Sequence, residues 1–266
     1  MRRLLLIGIG CGDPEHLTLR AVHALNEVDI FFVLDKGDAA GDLNRMREQI
    51  CRQHIERPYR VATVPDPVRR ALGGSYRDDV VAWHAERTEL FERLLLEQLS
   101  DDETAAFLVW GDPSLYDSTL RIVEQVAERG RIAFSVEVVP GISSVQLLAA
   151  RHRIPLHAIG RPVQITTGRE LAKGWPDGVD SVVVMLDGKS TFATIEPDGL
   201  EIYWGAYLGT ADEILVSGRL VDVAGEIERT RTEARERKGW IFDIYLLRRS
   251  PRDSNVRSAG QSTMVV

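Results

Sequence analysis

Two cysteines, Cys11 and Cys51, are all that the 266 residues contain. There is no Cys-x-x-Cys and no neighbouring pair of histidines, so neither a zinc site nor a disulfide framework is expected. The same scarcity points to a reducing, cytoplasmic setting. No apolar stretch approaches the roughly 20 residues that cross a bilayer, so no membrane partner is expected. A surplus of positive charge is missing too. The 33 Lys and Arg stand against 40 Asp and Glu, and the net charge of −7 speaks against nucleic acid as the main partner. Repeats and low-complexity tracts are absent. What remains, 44% apolar and 27% charged, is the ordinary composition of a folded globular chain. Its length allows one large or two modest domains.

Two phosphate-binding signatures are also lacking, although the chain opens as if it held one. Gly8, Gly10 and Gly12 recur at alternate positions after the apolar run Arg3 to Ile9, which reads as a buried strand. Beyond them Leu17, Ala21, Val22, Leu25 and Val28 recur at helical spacing. A dinucleotide fingerprint would need glycine at position 13, and Asp13 would turn a carboxylate toward a pyrophosphate. No Gly-Lys-Ser or Gly-Lys-Thr follows, so a P-loop fails as well. The N-terminal run superficially resembles a lipoprotein signal, but it leads straight into an amphipathic helix and is read as a strand. Glycines at such a strand-to-helix turn let the chain bend tightly and let a ligand approach bare backbone.

Further along, Asp29 to Leu34 reads as a strand ending in a turn at 35–38, and Leu43, Met46, Ile50 and Cys51 mark a helix. Residues 61–75 look irregular, with Val64-Pro65-Asp66-Pro67 and Gly73-Gly74. A long helix is expected from Asp78 to Leu99, then a strand from Thr104 to Trp110 broken at Gly111-Asp112-Pro113. Another helix (Ile122, Val123, Val126) and a strand (Ile132 to Val139) lead to a break at Pro140-Gly141-Ile142-Ser143-Ser144. Strand, glycine turn and helix thus recur three times. That alternation argues for a mainly parallel sheet with helices on both faces, and ligands bind such sheets beyond the carboxyl ends of the strands. The second half is strand-rich: 163–167, 181–186, 201–204, 213–220 and 240–247, with one charged helix at 221–238 and a short one at 191–195. The expectation is an α/β protein of two α/β domains, 1–155 and 163–249, the second smaller with a mixed sheet, followed by a tail at 250–266.

Three loops in register resemble a known family. Gly8 to Ala21 follows the form G-x-G-x-G-D-P-x-x-L-T-x-x-A, save that Cys11 stands where proline is usual; Gly111-Asp112-Pro113 and Pro140 to Ser144 supply the second and third motifs. The combination resembles the tetrapyrrole (precorrin) methyltransferases. The resemblance implies a cleft between the two domains that holds S-adenosylmethionine, leaving S-adenosylhomocysteine as product. It places cofactor contacts at Gly10, Cys11, Trp110, Gly111, Asp112, Leu115, Ser143, Ser144, Leu186, Asp187, Tyr207 and Leu208, and implies a homodimer. Cysteine is small and apolar enough to serve at position 11. Asp187 holds the place where relatives carry Met or Tyr before a glycine, with Met185 and Leu186 ahead of it.

Phe31 to Lys36, Val64 to Pro67, Tyr76 to Arg87 and Val184 to Gly188 look like the member of that family that methylates ring carbon C1 of precorrin-5 and releases acetate. Another tetrapyrrole as substrate, or a nucleotide-binding oxidoreductase, remains the alternative. Methyl transfer from a sulfonium needs alignment more than covalent help. Loss of an acyl unit needs water activation and a held oxyanion. Tyr76, Val80, His84 and Arg87 share a helix face, so His84 is the candidate base and Arg87 or Tyr76 the oxyanion or carboxylate holder; packing of Trp83 and His84 on the sheet is the alternative. Asp112 reads as a hydrogen-bond acceptor for the cofactor or an offset to its charge. Ser143 and Ser144 could reach the cofactor or simply cap a helix. A polycarboxylate substrate on an acidic protein calls for local arginines: Arg69, Arg70, Arg77, Arg87, Arg151, Arg153 and Arg161. Arg229, Arg231, Arg235, Arg237 and Lys238 read as a solvated helix face.

Overall fold

The computed structural model describes residues 1–35, 41–70 and 76–249, without the side chains of Gly41, Asp42 and Tyr76. The expected turn beyond Asp35, the pair Gly73-Gly74 and the tail from Ser250 lie outside these residues. The chain divides into two compact units: Met1–Leu147 with Leu208–Ala211, and the described residues of Leu148–Tyr207 and Asp212 onward.

The first unit is built on a sheet of five strands, β1 (Arg2–Gly8), β2 (Ile30–Asp35), β3 (Arg60–Pro65), β4 (Thr104–Val109) and β5 (Phe134–Val139), in the order β3-β2-β4-β1-β5. Every pairing in it is parallel. Strands covered on both faces read as near-continuous apolar runs, and β4, TAAFLV, is buried at every position. Leu4 to Ile7 of β1 are likewise fully buried. The N-terminal run is therefore an interior strand of the sheet.

Helices cover both faces. Leu90, Phe91, Leu94 and Leu95 of α3 (Tyr76–Gln98) and Ile122, Val123 and Val126 of α4 (Thr119–Arg129) pack with Leu4, Leu6, Ile30 and Phe107. On the other face Ala21, Ala24 and Leu25 of α1 (Leu19–Leu25) and Ile50 and Cys51 of α2 (Gly41–His54) pack with Leu5, Ile7 and Phe31. Each such buried leucine or isoleucine contributes about 1.5–3 kcal/mol relative to exposure.

One expectation is corrected here. Residues 61–65, read as irregular, belong to the edge strand β3, which is paired residue for residue with β2. Its burial alternates between exposed and half-buried, because it has a neighbour on one side only, and Pro65 ends it. A short half-solvated strand leaves no apolar run to recognise.

In the second unit β6 (Val163–Thr167), β7 (Ser181–Met185), β8 (Leu200–Ala206), β9 (Ile214–Arg219) and β10 (Asp243–Arg249) form a sheet of order β6-β7-β10-β8-β9. Only β6 and β7 run parallel; the remaining pairs are antiparallel. After α5 (Ser144–His152) and a short α6 (Gly168–Leu171), the long helix of this half is α7 (Leu220–Lys238). Leu220, Ile227 and Ala234 of α7 pack on Trp204, Ile202, Tyr245 and Phe192. Arg231 leaves the solvated face expected for it: it is half-buried and pairs with Asp243 at 2.9 Å. Among the described residues no helix is long and apolar enough to cross a membrane, and no three His, Cys, Asp or Glu residues are grouped to hold a metal.

Candidate active site

Three loops leave the carboxyl ends of β1, β4 and β5, and main-chain hydrogen bonds tie them together. Gly10 N–H donates to the Gly111 carbonyl at 3.2 Å, and Gly111 N–H donates back to Gly10 at 2.8 Å, an isolated antiparallel bridge between two parallel strands' exits. Both glycines sit at positive φ, +68° and +64°, a region open to glycine and costly for other residues. Gly141 closes the third side. A Cβ on it would lie 2.1 Å from the Gly111 oxygen and 2.9 Å from the Gly8 Cα, so no side chain fits there.

Asp112 is the side chain that fastens this assembly. One carboxylate oxygen accepts Ser114 N–H at 2.8 Å and the Ser114 hydroxyl; the other accepts Gly141 N–H at 2.9 Å. Burial pushes its carboxyl up, yet the hydrogen bonds from Ser114 and Gly141 outweigh it and hold the group below the usual carboxylate range. An ionised carboxylate therefore stands at the end of β4.

Ser143 is buried and caps α5. Its hydroxyl accepts Val145 N–H at 3.2 Å, an N-cap bond, and Gln146 Oε1 reaches back to accept Ser143 N–H at 3.1 Å. The same hydroxyl donates to Gln146, so Ser143 is occupied within its own helix. Ser144 is half-buried beside it. Residues 208–211 return to this unit: a Cβ on Gly209 would lie 3.5 Å from Cys11 Cβ and 3.6 Å from Asp13 N. Leu208 is buried, Cys11 and Leu115 are half-buried, and the Cys11 thiol faces the Ile142 carbonyl at 3.9 Å. Asp13 turns to its own loop, accepting Glu15 N–H at 2.9 Å.

The third set of candidates lies on α3. Arg87 is buried and gripped by Asp66 in a two-bond fork, 2.7 Å and 2.6 Å, with a third bond to Ser118 Oγ at 3.2 Å. Its guanidinium lies 4.2 Å from the Trp83 ring centroid, and Trp83 N–H donates to the Pro67 carbonyl at 2.7 Å. Arg87 thus fastens the segment after β3 to α3 and is not presented to a substrate. His84 is half-buried, its ring nitrogens without a hydrogen-bond partner among the described residues. Burial, and then the charges of Arg87 and Arg121, hold its pKa below the ordinary value. A neutral imidazole can accept a proton. The side chain of Tyr76 lies outside the described residues. Of the arginines proposed for substrate carboxylates, Arg151 and Arg161 are paired with Glu213 and Asp180.

In the second unit Leu186 is 66% exposed at φ +54°. Asp187 beside it is buried, and its carboxylate is filled by bonds from its own unit. Tyr207 is buried and donates its hydroxyl to the carbonyls of Trp240 at 2.6 Å and Ala234 at 3.1 Å. Among these second-unit candidates only Leu186 holds an exposed side chain.

Loops of bare backbone at the exits of a parallel sheet suit a nucleoside with polar edges. Residues 3–224 match the family Tetrapyrrole (Corrin/Porphyrin) Methylases. This chain belongs to that family. The methylase is 50% identical over 250 residues, 94% of its length and 96% of the relative's, to precorrin-6A synthase [deacetylating] of Sinorhizobium sp. It is 31% identical over 146 residues to the precorrin-2 C(20)-methyltransferase of Sinorhizobium sp, covering 54% of this chain and 55% of the relative. Its fold follows that of a putative cobalamin synthesis related protein (CobF) from Corynebacterium diphtheriae, with TM-score 0.81 and 37% identity over 94% of this chain and 100% of the other. A uroporphyrin-III C-methyl transferase from Thermus thermophilus, solved with S-adenyl homocysteine, shares the fold at TM-score 0.56 and 22% identity, covering 92% of this methylase and 91% of that chain.

The residues of the methylase's loops fit such a group. Two buried side-chain nitrogens there, Trp110 Nε1 and His16 Nδ1, have no hydrogen-bond partner among the described residues. Buried polar atoms are normally satisfied, so these two leave unmet hydrogen-bonding capacity beside the glycine loops. Ionised Asp112 suits a positively charged sulfonium nearby.

Proposed function

We propose that this methylase transfers a methyl group from S-adenosylmethionine to C1 of precorrin-5, with release of acetate, to give precorrin-6A. The observation that carries the reading is the joined backbone of Gly10, Gly111 and Gly141, in a chain half identical to a precorrin-6A synthase across nearly all of its length. An oxidoreductase reading would need a pyrophosphate beside Asp13, and Asp13 is a carboxylate.

S-adenosylmethionine, when bound, supplies an electrophilic methyl on a sulfur that leaves readily. The backbone of Gly10 and Gly111, with Cys11, Trp110, Leu115, Ser144 and Leu208 around it, would hold it in the first unit. Leu186, Asp187 and Tyr207 are the contacts proposed in the second. Asp112 would act mainly by fastening the loops, and its charge would favour the sulfonium. Ser143 would act by capping α5. Alignment in a dry site accounts for most of the expected acceleration.

For acetate release, His84 is proposed as the base that takes a proton from the attacking water, and Arg87 as the residue that positions α3. Tyr76 remains the proposed oxyanion partner. Exposed Arg70 and Arg77 flank this segment and are proposed to meet substrate carboxylates. We also propose a homodimer in the cytoplasm, where a chain with so few cysteines has no need of an oxidising compartment.

The test is mass spectrometry of purified protein with precorrin-5 and S-adenosylmethionine. The expected product gains one methyl and loses the acyl unit, with acetate in solution. Methylation without acetate would move the deacetylation elsewhere. No methylation, with the cofactor still bound, would point to another tetrapyrrole.

A further inference from the structure

We infer that Asp187 is a positioning residue: with Tyr245 and Arg231 it holds Leu186 in a left-handed backbone conformation that presents this residue to the methyl donor. The inference rests on the methyltransferase reading and changes the part that Asp187 plays in it.

Leucine rarely adopts positive φ, and a leucine that is 66% exposed gains little from packing to offset it. Something next to it must fix the backbone. The Asp187 carboxylate accepts four hydrogen bonds: Lys189 N–H at 3.0 Å, Thr191 N–H at 2.6 Å, the Thr191 hydroxyl at 3.0 Å and the Tyr245 hydroxyl at 2.7 Å. Its backbone carbonyl accepts from Arg231 at 2.8 Å. Arg231 is itself held by Asp243, which also accepts the Trp204 indole N–H at 3.0 Å. Gly168 leaves the space: a Cβ there would lie 2.4 Å from Asp187 Cγ. Residue 187 is thus fixed on both sides of its Cα, by the side chain and by the carbonyl. The one residue between it and the end of β7, Leu186, is bracketed by held backbone on both sides. No donor of a ligand is needed to satisfy Asp187, and its carboxylate has no exposed face to offer one, since the residue is only 6% exposed.

Asp187→Asn is the sharp variant. Either way round, the amide NH2 faces a backbone N–H, of Lys189 or of Thr191, so one acceptor becomes a donor against a donor. Binding of S-adenosylhomocysteine is measured by calorimetry in wild type, Asp187→Asn, Leu186→Gly and the double variant, with thermal unfolding recorded for each. Asp187→Asn is expected to weaken binding by about tenfold, the size of one buried hydrogen bond to a charged group. Glycine at 186 accepts positive φ without strain, so in that background Asp187→Asn should cost about twofold or less. Additive losses would overturn the inference and leave Asp187 as a general stabiliser of its unit. If Asp187→Asn does not fold, Tyr245→Phe removes a single bond and replaces it in the same cycle, with about a threefold loss expected and the same non-additivity required. Wild type that fails to bind S-adenosylhomocysteine would instead overturn the functional reading itself.

Discussion

Asp112 and Asp187 both follow a buried strand, and both stand among candidate cofactor residues, yet the molecule uses them differently. Asp112 is half-buried and spends its carboxylate between loops: it links the exit of β4 to the exit of β5. Asp187 is buried and spends its carboxylate within one turn and the neighbouring β10. In the first unit the backbone is kept bare by glycines at 10, 111 and 141. In the second a leucine, Leu186, is held at φ +54° with its side chain exposed. One solution removes side chains; the other ties down the residue beside one. The first tolerates no added atom, and the second tolerates no lost hydrogen bond.

That contrast can be broken most severely at Gly141. Gly141→Ala is expected to cost about 3 kcal/mol or more, because the new carbon meets backbone on both sides and no side chain can move aside. Chemical denaturation and S-adenosylhomocysteine binding should both register it. Gly168→Ala sharpens the comparison. Its carbon meets a side chain, Asp187, that is held by hydrogen bonds, so about 1–3 kcal/mol is expected from the same measurement. A Gly168→Ala loss as large as that at Gly141 would mean that the two units are equally intolerant of added atoms.

Next in size is Asp112→Asn, with about a tenfold weakening of S-adenosylhomocysteine binding, since the new amide sets a donor against either Gly141 or Ser114. The pH dependence carries a sign. The carboxyl pKa is lower folded than unfolded, so its contribution is complete above the unfolded value of about 3.9 and drains away as pH falls through the folded one. The variant should lose that acid-dependent part of stability in urea titrations between pH 3 and 7, about the carboxylate range.

The smallest expected effect is selective. His84→Ala should slow acetate release several-fold more than methyl transfer; equal slowing would leave His84 as packing beneath Trp83. Since the folded pKa of His84 is depressed, the acid limb of acetate release should fall below about 6.5, the ordinary histidine value. A limb above that value would contradict a half-buried, Arg87-flanked imidazole.

Much of this was readable before any coordinates. Near-continuous apolar runs gave away β1 and β4, because strands covered on both faces have little room for polar side chains. The three glycine loops could be placed at strand ends from order alone. What sequence could not give was anything carried by a partner far along the chain. Arg87 read as a free guanidinium on a helix face, but its partner, Asp66, lies in the segment after an unrecognised edge strand. Arg231 read as one of a row of solvated charges, and only packing against Asp243 shows otherwise. The partners of Asp187 are scattered from Gly168 to Tyr245. Ser143 is the opposite case: its capping partner Gln146 lies three residues on, a Ser-x-x-Gln spacing visible in the sequence.

The strand order of the first unit has a consequence for how the chain comes to be folded. β1 is made first, yet it is flanked by β4 and β5, with Arg3 opposite Thr104 and Arg2 opposite Phe134. Its run of leucines and isoleucine must therefore wait, unpaired, until most of the unit has left the ribosome. High contact order of this kind slows folding and exposes a sticky segment in the nascent chain. The glycine loop that follows β1 waits with it, so the joined backbone of Gly10, Gly111 and Gly141 cannot form before β5 has been made.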